Sequence, residues 1–125
     1  MDLDNRIRAE EVMSTPLETI SSKATVREAA RTMRDNDINA LLVTTGPPSI
    51  VTSTDVLDAV AAGHDTADLP VAEVMTRSVE TVPPTILLEE VAAMMTSLGI
   101  KHLPVVDGED YVGMVSSTDV TSRIA

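Results

Sequence analysis

An internal duplication constrains this chain more than any other feature. Glu73-Val74-Met75-Thr76 echoes Glu11-Val12-Met13-Ser14 at a spacing of 62 residues, and Val79-Glu80-Thr81-Val82 echoes Leu17-Glu18-Thr19-Ile20. The same offset pairs Glu28 with Glu90, Ala30 with Ala92, Met33 with Met95, Ile38 with Ile100, and Leu41-Leu42-Val43 with Leu103-Pro104-Val105. Farther on the spacing grows to 64, because Asp107-Gly108-Glu109-Asp110-Tyr111 is longer than the earlier loop at Gly46-Pro47-Pro48; Thr52 to Val56 then matches Ser116 to Val120. One constant offset that breaks only at a hairpin loop is what duplication followed by a loop insertion leaves.

Each copy reads strand, helix, strand, strand, helix. In the first, Leu17 to Ile20 alternates as a short strand. Thr25 is the expected N-cap of a helix, with Glu28 three residues on to close a capping box, and the helix runs to about Asn36. Asp37-Ile38-Asn39 turns the chain into Ala40 to Val43, an apolar run that reads as a buried strand. Ser49 to Thr52 is the next strand. Thr54 or Ser53 is the expected cap of a helix that runs through Val56, Leu57 and Val60 to Gly63, a suitable C′ residue. The lead-in over residues 2–12 has weak helical character, with Val12 and Met13 packing, and the last helix stops at Ala125. Repeat one spans about 10–63, a polar linker about 64–72, and repeat two about 73–125. At 125 residues the pair is one compact domain by size, burying about two-thirds of its unfolded surface.

Apolar residues make up 43% of the chain, yet Tyr111 is its one aromatic, so the core is Val, Leu, Ile, Ala and Met. Met33, Met94 and Met95 follow helical spacing and read as core. There is no cysteine, hence no disulfide or thiolate chemistry, which is compatible with a reducing cytosol. No run approaches the roughly 18 apolar residues that span a bilayer, and the acidic start lacks signal-peptide character. The expectation is a cytoplasmic protein without membrane contact. A net charge of −11, from 20 acidic residues against nine basic ones spread along the chain, repels nucleic acid and anionic lipid. Low Lys with high Asp and Glu also resembles the composition of salt-loving archaea; an ordinary acidic mesophile protein is the alternative.

The second half of each copy ends in a polar signature where an apolar strand meets a helix: Ile50-Val51-Thr52-Ser53-Thr54-Asp55-Val56 and Met114-Val115-Ser116-Ser117-Thr118-Asp119-Val120. A carboxylate three residues after a hydroxyl, at a strand-to-helix junction, accepts hydrogen bonds from a sugar diol while backbone N–H groups face an anion. The same residues also suit a helix start, where Asp caps and complements the dipole.

In the order and spacing of these motifs, over roughly residues 10–125, the chain resembles a tandem pair of cystathionine β-synthase (CBS) domains, or Bateman module. The resemblance rests on Val74-Met75-Thr76, on Ile100-Lys101-His102-Leu103-Pro104-Val105-Val106-Asp107 and on Val112-Gly113-Met114-Val115-Ser116-Ser117-Thr118-Asp119. It implies an α+β fold of two β-α-β-β-α motifs about a pseudo-twofold axis, with two clefts for adenosine-containing ligands. It implies ribose and phosphate contacts from Gly113, Ser116 and Asp119 in the second repeat, and from Thr52 and Asp55 in the first, where Ser49 replaces the glycine. A Cβ there would hinder close backbone approach. The base pocket maps to Thr15, Pro16 and Leu17 and to Arg77, Ser78 and Val79. Phosphate contacts map to Lys101 and His102, where the first repeat has Asn39 and Ala40.

The alternatives are bland ones. Asp55 and Asp119 are helix caps; His102 is a packed strand-edge histidine; His64 is solvated; and Arg27, Arg31 and Arg34 form a solvated or dimer-facing stripe in preference to a nucleic-acid patch. No nucleophile stands at a recognisable spacing from a base, and the two histidines have no metal-ligand spacing. The resulting expectation is a stand-alone regulatory module, not an enzyme. It needs no cofactor or metal and senses AMP, ADP, ATP or S-adenosylmethionine as a homodimer, in contact with a separate effector protein. Its rival is a dimerisation or docking module with vestigial clefts, serving a separate enzyme or transporter. The second repeat is expected to hold the stronger site.

Overall fold

The computed structural model describes residues 6–124; Asp2 to Asn5 of the expected lead-in, and Ala125, lie outside them. Two compact units form. One, the N-unit, is residues 18–79; the other, the C-unit, joins the residues up to Leu17 to those from Glu80 onward. The lead-in of the first repeat thus belongs with the second repeat, and that of the second repeat with the first.

In the N-unit, β1 (Thr19–Ile20) pairs in parallel with β2 (Ala40–Val43), which pairs antiparallel with β3 (Ser49–Thr52). Helices α2 (Val26–Asn36) and α3 (Ser53–Ala61) follow β1 and β3. The expected capping box opens α2: the Glu28 amide donates to Thr25 Oγ1 at 3.1 Å, and the Thr25 amide to Glu28 Oε2 at 3.4 Å. At the end of α3, Gly63 takes φ +83° as expected, its amide donating to the Val60 carbonyl while the His64 amide returns to Ala59, which caps the last turn. Ala29, Met33, Leu41, Val43, Val51 and Val71 form the core, the last from a 3-10 turn at Val71–Glu73.

In the C-unit, α1 (Ala9–Val12) packs with α4 (Leu88–Leu98), the hairpin β4 (His102–Asp107) and β5 (Asp110–Ser116), and α5 (Ser117–Ile124). Leu88, Val91, Met95, Leu103, Val105 and Val115 are among its core residues, with Met94 partly buried against them. Burying an aliphatic side chain of this size contributes roughly 1.5–3 kcal/mol, so an aromatic-free core suffices.

The same bonds tie each lead-in to its unit. In the C-unit, Ala9 donates to the Ile86 carbonyl, Glu10 to Pro84 and Leu88 to Ile7; in the N-unit, Val71 donates to Ala24, Ala72 to Ser22 and Val26 to Leu69. Each of these pairs is offset by the repeat distance, so both lead-ins dock alike.

Four expectations need correction. The strand expected at Leu17 to Ile20 is only β1, and its echo at Val79 to Val82 shrinks to a single parallel bridge between Val82 and Val105. In the N-unit the Leu42 amide donates to Glu18; the equivalent position is Pro104, which has no N–H to offer Glu80. The cap of α3 is Thr52, one residue before the expected Ser53 or Thr54. Finally, the two extra residues between β4 and β5 lengthen the ladder instead of the loop. Asp107 pairs with Asp110 across a tight turn with Gly108 at φ +64°, and a bulge at Val105/Val106 absorbs the odd register.

Candidate functional site

Two half-sites form where the two signatures meet the lead-ins, one within each unit. In the C-unit, β5 delivers Ser116 to the start of α5, and Asp119 stands one turn on. The Ser116 amide donates to Asp119 Oδ2 at 2.8 Å, and the Asp119 amide donates to Ser116 Oγ at 3.1 Å. Each side chain thus satisfies an orphan donor at the helix start, so the pair is a capping box. Asp119 is half-buried, and its other oxygen, Oδ1, has no hydrogen bond among the described residues. In the register of the hairpin, His102 lies opposite Ser116. The Lys101 carbonyl accepts from the Ser117 amide at 2.8 Å, leaving an exposed ammonium beside the strand start.

The N-unit repeats this arrangement. The Thr52 amide and hydroxyl donate to Asp55 Oδ2 at 2.8 and 3.2 Å, and the Asp55 amide donates to Thr52 Oγ1 at 3.4 Å. Ala40 occupies the register position opposite Thr52, and the Asn39 carbonyl accepts from the Ser53 amide. Neither Lys101 nor His102 has a basic counterpart there.

The lead-ins reach both candidate half-sites. Ser14 bridges Met114 through two backbone bonds of 2.8 and 3.1 Å, which places Thr15, Pro16 and Leu17 in the C-unit with Ser116 and Asp119. Thr76 bridges Ile50 at 2.9 and 2.8 Å, which places Arg77, Ser78 and Val79 in the N-unit with Thr52 and Asp55. Ser78 takes φ +54°, and the Val79 amide donates to Pro48. Arg77, exposed, thereby brings the N-unit a cation from the second repeat's own sequence.

Gly113 has a role that the sequence reading missed. A Cβ built on it would lie 2.7 Å from Met13 Sδ and 2.9 Å from the Ser14 carbonyl oxygen, so the backbone that approaches it closely is the lead-in's own. At the equivalent position Ser49 is buried, its hydroxyl 2.7 Å from Thr45 Oγ1, and the Thr76 bridge forms regardless. The Ser49 Cβ thus does not keep the lead-in away. The signal for these contacts was the echo of Met13-Ser14 in Met75-Thr76, which repeats as faithfully as the core does.

Among the described residues, every buried side-chain nitrogen or oxygen has a hydrogen-bond partner, no cluster of His, Asp and Glu could hold a metal, and no helix is long and apolar enough to cross a membrane. The half-sites offer carboxylate oxygens, hydroxyls, backbone amides and cations. Chemically, that set can form hydrogen bonds with the hydroxyls and anionic oxygens of a small molecule.

Known proteins are similar to this chain. The chain is 32% identical to a CBS domain-containing protein, YhcV, of Bacillus subtilis over 88% of its own length and 80% of that protein's. It is 38% identical to a homoserine O-acetyltransferase of Methanocorpusculum labreanum over 86% of its own length, but over only 22% of the enzyme, so that match covers a small part of a larger protein. Among solved structures, a CBS domain protein from Pyrobaculum aerophilum complexed with AMP superposes with a TM-score of 0.81 at 29% identity, covering 90% of this chain and 89% of that one. A CBS domain pair in complex with methylthioadenosine and S-adenosyl-L-methionine superposes with a TM-score of 0.82 at 29% identity, covering 94% and 95%. The family model of the CBS domain matches twice, at residues 9–62 and 71–125, and the chain belongs to the CBS domain family as a tandem pair.

Proposed function

We propose that this CBS pair is a regulatory module that binds an adenosine-containing ligand, AMP, ADP, ATP or S-adenosylmethionine, chiefly in the C-unit. Asp119 Oδ1 accepts from the ribose hydroxyls with Ser116 beside it. Thr15, Pro16 and Leu17 supply backbone and aliphatic surface to the base. Lys101 and His102 face the phosphates or the charged tail. Thr52, Asp55, Arg77, Ser78 and Val79 form the weaker counterpart. The observation that carries this reading is the carboxylate of Asp119, held by one oxygen in a capping box while the other has no hydrogen bond among the described residues, at a half-buried strand-to-helix junction. The adenosyl ligands held by two related CBS structures support the choice of ligand class.

The module acts in the cytoplasm, its acidic surface suited to a salt-rich one, as a homodimer that reports to a separate effector protein and performs no catalysis itself. A ligand regulates such a module only by binding two arrangements with different affinity. A second reading is a docking or dimerisation module that binds no ligand. It is favoured by the fact that both aspartates close capping boxes, so helix geometry alone accounts for their place.

Calorimetric titration with AMP, ADP, ATP, S-adenosylmethionine and NAD, in high salt, separates the two. Saturable binding below millimolar supports the sensor. A folded chain that binds none of the five supports docking.

A further inference from the structure

The arginine stripe of α2 belongs to neither half-site. Arg27, Arg31 and Arg34, with Val56 and Val60 of α3 and Thr66 beyond it, line an open groove of about 310 Å3 within the N-unit. The frame of this groove is held in place: the Arg27 amide donates to the Thr66 carbonyl at 2.9 Å, which ties the segment after α3 to the first turn of α2, and Val26, Ala29 and Met33 are buried on another side of the helix. The carboxylates nearest in sequence are engaged elsewhere. Glu28 Oε2 accepts from the Thr25 amide, Asp65 Oδ1 accepts from the Ala67 amide, and Asp35 pairs with Arg34 at 3.0 Å. Among the described residues neither Arg27 nor Arg31 has an ion-pair partner.

Like charges one turn apart on a helix repel one another, so the stripe costs α2 stability that nothing within the N-unit offsets at Arg27 and Arg31. Nor is it part of the duplicated frame: at the repeat offset Arg27, Arg31 and Arg34 become Glu89, Ala93 and Thr96. We propose that the groove is a separate binding site for a small multivalent oxyanion, a diphosphate or a polycarboxylate, gripped by the guanidinium groups of Arg27 and Arg31. Forked guanidinium donors match the paired oxygens of phosphate and carboxylate, and two of them side by side match an anion with two such groups. Arg34 adds less, because Asp35 already shares its charge. Val56 and Val60 leave the α3 wall of the groove uncharged, with room for a short carbon chain between the anionic groups. A net charge of −11 turns away polyanions that extend beyond the groove, such as nucleic acid or an anionic membrane, and leaves small anions as the occupants. This site stands apart from the adenosyl reading and does not depend on it.

Calorimetric titration of the full chain with pyrophosphate and, separately, with tricarballylate at moderate salt tests this, with folding checked by circular dichroism. Saturable binding of at least one probe is expected; pyrophosphate alone marks a phosphoryl ligand, and tricarballylate alone a carboxylate one. Arg27→Gln with Arg31→Gln weakens that binding about tenfold or more, and Arg34→Gln weakens it by less. Binding of neither probe to the folded wild type, or binding that survives the double variant, overturns the site. Amide resonances supply a second measurement that needs no substitution. Pyrophosphate should shift those of Arg27, Arg31, Val60 and Thr66. Shifts confined to Ser116 through Asp119 would move the anion to the C-unit half-site, which overturns the groove and leaves the adenosyl reading standing.

Discussion

The two half-sites share one local design and differ in what surrounds it. Both place a hydroxyl and an aspartate in a capping box at the junction of strand and helix, with nearly the same bond lengths. In the C-unit the lead-in presses onto Gly113, and Lys101 and His102 stand at the start of the ladder; in the N-unit the lead-in passes a buried serine, Asn39 and Ala40 take the place of these basic residues, and Arg77 arrives from the lead-in. The box is therefore structural in both units, and any difference in binding must come from its neighbours. The exchange of lead-ins also narrows the expected asymmetry, because it gives the N-unit Arg77 and gives the C-unit only the uncharged Thr15, Pro16 and Leu17.

The largest test of this comparison is steric. Gly113→Val drives a branched side chain into Met13 and the Ser14 carbonyl, and urea unfolding should show a loss of about 1–3 kcal/mol. Should the valine be tolerated without loss, the lead-in is held elsewhere and Gly113 is free for a ligand. Next comes binding. Asp119→Ala should weaken the adenosyl ligand by about 1–3 kcal/mol, Asp55→Ala by less, and calorimetry on both variants measures the difference. Both also lose a box partner at a helix start, at a cost in stability of about 0.5–2 kcal/mol, so affinity is compared below each variant's melting range.

Smaller effects sharpen the contrast. Ser49→Ala removes the bond to Thr45 and should cost about 0.5–1.5 kcal/mol of stability by denaturant titration, with the Thr76 bridge intact. A larger loss would mean that the serine hydroxyl holds the lead-in as Gly113 does. Smallest is Lys101→Ala, expected to weaken ligand binding by about 0.2–1 kcal/mol, more for ATP than for AMP and less at high salt. An effect equal across the phosphate series would remove Lys101 from the phosphate site.

Much of this was legible from the repeat. The Thr25–Glu28 box, the Gly63 cap, the buried strand at Ala40 to Val43 and the core methionines all follow from local pattern, because each depends on residues within a turn or a strand of one another. Pairing between distant segments was not legible. The Glu-Val-Met lead-ins are identical in the two repeats, so nothing local says which unit each joins. Likewise, the loss of the strand at Val79 to Val82 lies with Pro104, more than twenty residues away, whose missing donor matters only once the two segments are neighbours. Asp55 and Asp119 were legible as caps or ligands with equal ease, since the same carboxylate chemistry serves both. The geometry adds that one oxygen of each already serves the cap.

The central claim is that the C-unit holds the stronger adenosyl site, and titration of wild-type, Asp119→Ala and Asp55→Ala chains with one adenosyl ligand tests it most directly. The account predicts that the wild type binds below millimolar, that Asp119→Ala removes the tighter phase, and that Asp55→Ala leaves that phase in place. Equal losses in the two variants, or affinity unchanged by Asp119→Ala in a folded chain, would contradict it and return both aspartates to the role of helix caps.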